Sequence, residues 1–160
     1  MARVYLETSF FSACVWDRED TKSAYQRQQS RQWWVHQRSN YELFISGEVT
    51  RELSSPGFRH REAAIAMATE AHVLAVNEDV EGLAVILVRE KVMPTPAGSG
   101  DAIHVAAATV HGMDFVLTWN QKYLANINKV PHLREVCRRA GYLPPDLTTP
   151  DALWLLTEED

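Results

Sequence analysis

Residues 98–128 read GSGDAIHVAAATVHGMDFVLTWNQKYLANIN, and this stretch decides the predicted fold. The mostly apolar run after Asp101 predicts a buried helix. Residues 115–118 (FVLT) predict a buried strand, and another short helix is expected from Gln121 onward. Asp101 at the helix start and Asn120 just past the strand end would then face one crevice.

The rest of the chain alternates short apolar runs with helical patterns. Further strands are predicted at residues 3–6, 41–46 and 72–76, and the tail holds a short extended piece. Thr8 or Ser9 is expected to cap the first helix. Helices are also predicted over residues 17–40 (one long helix), 47–53, 59–70, 78–90 and 131–140. This alternation predicts an α/β fold: a central parallel sheet of four to five strands flanked by helices.

Length and composition place the chain in a broad class. A chain of 160 residues with 46% hydrophobic and 23% charged residues is predicted to form one soluble globular domain over residues 1–160, with a frayed tail at 155–160. The N-terminus lacks the apolar run of a signal peptide, and no segment has the 18 apolar residues of a membrane span, so a cytoplasmic protein is expected. The two cysteines are expected to be reduced core thiols.

The net charge of −5 gives the chain no general attraction to nucleic acid. It does not exclude a nucleic-acid substrate, because bound divalent cations would reverse the local field. Three arginines of the long polar helix are candidates for phosphate contacts, although a solvated helix face is the favoured interpretation: Arg27, Arg31 and Arg38.

Acidic side chains are predicted to converge on the crevice from distant parts of the sequence. Glu7 directly follows the first strand, and Glu52 lies about one and a half turns into the helix after the second strand. Ligands of parallel sheets bind beyond the carboxyl ends of the strands, where the strand order reverses. Glu7, Glu52, Asp101 and Asn120 are therefore the candidate catalytic residues.

This set of side chains favours a hard divalent cation. Several carboxylates at one sheet edge repel one another unless a cation lies among them. Oxygen ligands without a nearby His or Cys suit Mg²⁺ or Mn²⁺ better than zinc. Such an ion orients a phosphodiester, activates water and stabilises the leaving oxygen, which predicts metal-dependent phosphodiester hydrolysis.

Each candidate also has a structural interpretation when it is taken alone. Glu7 can serve as a helix N-terminal charge, and Glu48, which shares a helix face with Glu52, competes with it for the same role. His104 lies one turn from Asp101, and such a histidine is more often a supporting or core residue. The order of these elements along the chain carries the signal, because no single residue is specific.

Four segments resemble the PIN-domain family, specifically the VapC-like toxins of bacterial type II toxin–antitoxin pairs. They are YLETS (residues 5–9), ISGEVTREL (45–53), DAIHVAAATVHGMDFVLTWN (101–120) and PPDLTTPDAL (144–153). The resemblance spans nearly the whole chain, and the third segment is the most specific. It implies a Rossmann-like PIN fold, an acidic pocket for Mg²⁺ or Mn²⁺, endoribonuclease activity on RNA, a homodimer, and a cognate VapB-like antitoxin as partner.

The resemblance also assigns roles to residues. It makes Glu7, Glu52 and Asp101 the metal-binding acids. The supporting residues that it adds are Thr8 or Ser9, which would orient the attacking water, and Thr118, which would support the pocket. Two positions depart from the family pattern: the first acid is usually Asp and is Glu7 here, and the fourth, often Asp, is Asn120.

Three hypotheses follow. The leading one is a Mg²⁺- or Mn²⁺-dependent ribonuclease toxin. The second is a PIN-like module that holds RNA or an antitoxin without cutting, which Glu7 and Asn120 favour. The third is an unrelated α/β enzyme acting on a small phosphorylated molecule, for which the chain offers neither a P-loop nor a GxGxxG motif.

Overall fold

A computed structural model of the protein describes residues 1–156 and contains one five-stranded sheet, in which every pair of neighbouring strands is parallel. The strands lie in the order β3-β2-β1-β4-β5. Their bounds are β1 Ala2–Leu6, β2 Tyr41–Ser46, β3 His72–Leu74, β4 Phe115–Leu117 and β5 Asp146–Thr148. The predicted parallel sheet is thus confirmed, and β5 is the extended piece of the tail. Residues 157–160, which belong to the predicted frayed tail, lie outside the described residues.

Seven α-helices flank the sheet in the described part of the chain. They are α1 Thr8–Val15, α2 Thr21–His36, α3 Gly47–Leu53, α4 Arg61–Ala68, α5 Glu78–Arg89, α6 Asp101–Val110 and α7 Val130–Arg139. Two short 3-10 segments span Arg38–Asn40 and Ile127–Lys129. Within residues 1–156, every helix is too short or too polar to cross a membrane.

The central strand β1 fixes the place of the crevice. Val4, Tyr5 and Leu6 are completely buried, and β1 pairs with β2 on one side and with β4 on the other. From β1 the chain steps outward to β2 and β3, and it then crosses back to β4 and β5. The strand order therefore reverses between β1 and β4, which is the position where ligands of such sheets bind.

The connections place helices on both faces of the sheet. Right-handed crossovers put the helices after β1 and β2 on one face and those that lead to β4 and β5 on the other. Accordingly α1 packs on α2, α3 and α4, whereas α5 packs on α6 and α7. Helix α6 is buried along almost its whole length, as the apolar run predicts.

Three local predictions were wrong. Residues 17–40 form α2 and a 3-10 segment instead of one helix, because Asp20 caps α2 by accepting from Ser23 N at 3.0 Å. The chain after Gln121 forms a turn, since Asn120 O accepts from the amides of both residues 124 and 125. The cap of α1 is Glu7, whose side chain accepts from Ser9 N.

Candidate functional site

Glu7 lies at the switch point between β1 and β4. It is 6% exposed, and its Oε2 accepts from Ser9 N at 3.1 Å. Its Oε1 accepts from the hydroxyls of Ser9 at 2.5 Å and Thr118 at 2.6 Å. These hydroxyls in turn accept from the backbone amides of Trp119 at 2.8 Å and Asn120 at 3.0 Å. The end of β4 and the start of α1 are thus tied together through one carboxylate.

Glu52 reaches the same place from α3. Its Oε1 accepts from the Thr8 hydroxyl at 2.7 Å and from His104 Nε2. Burial opposes ionisation of Glu52, but the hydrogen bond and charge of His104 outweigh it, so the pKa of Glu52 is lowered. Burial also opposes the charge on His104, yet its hydrogen bond to Glu52 and the surrounding carboxylates raise its pKa. The two side chains form an ion pair.

The His104 ring is held from behind by β1. Tyr5 Oη lies 2.6 Å from His104 Nδ1 and 2.8 Å from Ser46 Oγ, and all three residues are completely buried. Burial and the nearby acids raise the pKa of Tyr5, so its hydroxyl stays protonated. Glu52 is therefore oriented by a chain of buried hydrogen bonds that runs into the sheet.

Asp101 begins α6 and faces the other two acids. Its Oδ2 accepts from Asn120 Nδ2 at 3.2 Å, which brings together the two residues that the sequence placed at this crevice. Burial raises the pKa of Asp101, and the charges of Glu7 and Glu52 raise it further. The carboxylates of Glu7, Glu52 and Asp101 thus share one negative field, and these three residues are called the acidic crevice below.

Glu48 contacts the loop before α6 instead of the acidic crevice. It is 8% exposed, and its Oε1 accepts from Gly100 N at 3.0 Å and from Arg51 Nε at 2.9 Å. Gly100 precedes Asp101 and has φ 68° and ψ −143°, a conformation that side chains rarely adopt. Glu48 therefore holds the turn that places Asp101, whereas Glu52 faces the acidic crevice.

Sequence reasoning missed Tyr5, Ser46 and Gly100 in these roles. A tyrosine in a buried central strand must find a partner for its hydroxyl, so Tyr5 carried a usable signal. The sequence gives no signal that its partner is His104, because His104 lies 99 residues away in the chain. Arg27 and Arg31, for which a solvated helix face was the favoured interpretation, also donate to backbone carbonyls around the end of α1.

Two acids of the acidic crevice, Glu7 and Glu52, form with His104 a group that could hold a metal ion. Glu7, Glu52 and His104 each place a potential ligand atom within 4.8 Å of the others. His104 Nε2 donates to Glu52, which leaves the carboxylates as the ligands. Glu52 Oε2 and Asp101 Oδ1 accept no hydrogen bond from the described residues, so each has free lone pairs. The expectation that no histidine lies near the acids was wrong, but hard oxygen ligands still dominate the set.

Comparison with known proteins establishes the fold. No protein-family model matches the chain, and no curated protein matches it in sequence. Its structure is similar to a chain in the crystal structure of VapBC2 from Rickettsia felis bound to a DNA fragment from their promoter, with a TM-score of 0.53 and 13% identity. The match covers 91% of this chain and 97% of that chain. The predicted Rossmann-like fold of the VapC and PIN type is therefore confirmed.

Proposed function

We propose that this protein is a Mg²⁺- or Mn²⁺-dependent endoribonuclease that hydrolyses RNA phosphodiesters at the acidic crevice. The observation that carries the proposal is the convergence of Glu7, Glu52 and Asp101, from the end of β1, α3 and the start of α6, at the switch point of the sheet. Carboxylates that face one another repel unless a cation offsets their charge, and the pKa of Asp101 is raised by burial and then by the charges of Glu7 and Glu52.

Each of these residues has a task in the proposed reaction. Glu7, Glu52 and Asp101 would hold the ion, which supplies polarisation of the phosphodiester and of the attacking water. Ser9 and Thr118 fix the Glu7 carboxylate by donating to it. The side-chain amide of Asn120 donates to Asp101 and orients its carboxylate. Asn120 is the fourth residue of the proposed catalytic set, and it carries no charge.

The same proposal extends to the biological setting. The likeness to a chain of the VapBC2 complex supports a toxin of a type II toxin–antitoxin pair. We accordingly expect a VapB-like antitoxin as the partner, RNA as the substrate, a homodimer as the assembly, and the cytoplasm as the place of action. A pull-down of the chain with the product of a neighbouring small reading frame tests the partner.

RNA cleavage tests the activity. Wild type with Mn²⁺ or Mg²⁺ is expected to cut a single-stranded RNA, and EDTA is expected to stop the reaction. Asp101→Asn should slow cleavage by about a hundredfold or more, because it removes a charged ligand. Asp79→Asn is the matched control, since Asp79 lies exposed in the first turn of α5. Equal cleavage by wild type and Asp101→Asn would refute the assignment.

One observation favours a second candidate, a PIN-like module that binds RNA or an antitoxin without cutting. The His104 ion pair occupies Oε1 of Glu52, and Glu7 is committed to capping α1. Both arrangements reduce the negative charge offered to a cation. This candidate predicts RNA or antitoxin binding that is equal in Mn²⁺ and EDTA, together with intact RNA after prolonged incubation.

A further inference from the structure

A second cavity opens at the carboxyl end of α1, on the face of the sheet that carries α1, α2 and α4. Its volume is about 510 Å³, and its lining includes Trp16, Arg27, Arg31 and His60. Helix α1 has eight residues and is therefore about 12 Å long. The cavity thus lies about one helix length from Glu7, at the opposite end of α1.

The two acids of the cavity lining, Asp17 and Glu19, are each paired with basic side chains. Asp17 is paired with Arg59 at 3.5 Å and His60 at 3.3 Å, and Glu19 is paired with Arg27 at 3.4 Å. Those two acids are therefore already neutralised.

Arg31 is the cation of the cavity lining that has no acidic partner in the described part of the chain. Arg31 Nε donates to Cys14 O at 2.7 Å, and within residues 1–156 no carboxylate forms an ion pair with its guanidinium. Arg18 is not a lining residue, and its guanidinium lies 5.0 Å from the centre of the Trp16 ring. An anion in the cavity would meet the guanidinium of Arg31 as an available cation.

His60 lies at the cavity and has a strained backbone conformation. Its φ of 63° is left-handed, which is uncommon outside glycine. It stands at the N-cap of α4 but makes no capping hydrogen bond, and its imidazole instead lies against Asp17. Residues held in such conformations concentrate at ligand sites, where the surrounding structure maintains them.

We propose that this cavity binds a nucleotide of single-stranded RNA, with Arg31 contacting a phosphate and Trp16 contacting a base. The inference rests on the proposed function, because it makes the cavity a remote subsite for the strand that enters the acidic crevice. Aromatic rings beside arginines are the usual platform for single strands. A stacked strand advances about 3.4 Å per nucleotide, so the length of α1 corresponds to about three to four nucleotides.

Fluorescence anisotropy in EDTA tests the subsite without cleavage. Labelled oligouridylates of two and eight nucleotides are titrated with wild type and with Arg31→Gln at several salt concentrations. The octamer should bind Arg31→Gln about tenfold more weakly, and the slope of log affinity against log salt should fall by about 0.7, the value for one single-strand phosphate contact. The dimer, which is too short to span α1, should bind wild type more weakly than the octamer does.

Matched variants and a competitor complete the design. Arg89→Gln, on α5 at the other face of the sheet, should bind the octamer like wild type, and Trp16→Leu should weaken it. Unchanged octamer affinity and salt slope in Arg31→Gln would overturn the subsite while leaving the proposed nuclease intact. Displacement of the octamer by an oligoglutamate of equal charge would assign the cavity to an acidic peptide instead. Failure of wild type to bind the octamer in EDTA would also overturn the subsite, whereas the nuclease is tested separately by RNA cleavage with Mn²⁺.

Discussion

The surroundings of Asp101 in the acidic crevice destabilise its charged form. Its raised pKa shows that burial and its acidic neighbours disfavour its charged form in the folded protein. Removing that charge should therefore raise the free energy of unfolding in EDTA, although the same substitution is expected to slow RNA cleavage. Such a trade-off between stability and function is common at active sites.

Thermal unfolding of Asp101→Asn in EDTA checks this prediction. The midpoint should rise relative to wild type, and Asp79→Asn should leave it unchanged because Asp79 is exposed. Adding Mn²⁺ should stabilise wild type more than Asp101→Asn, since a ligand stabilises the state that binds it. A lower midpoint for Asp101→Asn in EDTA would show that its carboxylate is a structural anchor.

Because the thiol of Cys14 is buried, we expect the folded protein to lose stability at alkaline pH. Burial raises the pKa of Cys14 to about 12, whereas an unfolded thiol titrates near 8.5. The folded state thus favours the protonated thiol, so this contribution is complete below about pH 8.5 and is lost as the pH rises toward 12.

Urea unfolding at pH 8 and pH 10 measures this effect. Wild type should lose about 1–2 kcal/mol more than Cys14→Ala between these values, because only wild type has the thiol to ionise on unfolding. The smaller alanine side chain lowers the free energy of unfolding at both pH values, so this loss cancels when the two values are compared. Equal losses in the two proteins would mean that the Cys14 thiol ionises as readily in the folded state as in the unfolded state.

The start of α6 is the element on which the position of Asp101 depends. Gly100 adopts φ 68° and ψ −143°, and Glu48 holds its amide. Gly100→Ala should cost on the order of 1–3 kcal/mol through backbone strain alone, because an added Cβ meets nothing within 4 Å. Cleavage should fall as well, since Asp101 is the next residue.

Gly98→Ala provides a matched comparison in the same loop. An added Cβ at Gly98 also meets nothing within 4 Å, and its φ lies outside the left-handed range. Its free energy of unfolding, measured in urea, should stay equal or rise by up to about 1 kcal/mol, because alanine restricts the unfolded chain. Similar losses for Gly98→Ala and Gly100→Ala would argue against a specific strained turn before α6.

Elements with a strong local signal were predictable from the sequence. Strand β2 matches its predicted span of residues 41–46, since an apolar run lies between polar Asn40 and the flexible Gly47. The helix predicted after Gln121 does not form, because Asn120 O accepts hydrogen bonds from two backbone amides and closes a turn. The cap of α1 was assigned to Thr8 or Ser9, although Glu7 is held in place by Thr118 from β4, which lies 111 residues away.

The candidate site was predictable to the extent that topology determines it. Parallel strands bring their carboxyl ends to one edge, and this alone placed Glu7 and Asn120 together. The choice between Glu48 and Glu52 was beyond sequence reasoning, because it depends on which side chain meets Gly100 and which meets His104. Those contacts each join residues 52 positions apart in the chain.

At the scale of the whole molecule, the sheet order explains how a chain of net charge −5 could carry the proposed RNA site. The order β3-β2-β1-β4-β5 opens a crevice between β1 and β4, and the acidic crevice lies there. A divalent cation would convert this negative region into one that attracts a phosphodiester. The cation is therefore the central element of the proposed function.

Calorimetric titration with Mn²⁺ tests that claim most directly. Wild type and Asp79→Asn should bind Mn²⁺ with the same affinity and stoichiometry, whereas Asp101→Asn should bind at least about tenfold more weakly, because it loses a charged oxygen ligand. An absence of binding heat in wild type across several temperatures, or equal affinities for wild type and Asp101→Asn, would contradict a metal centre at the acidic crevice.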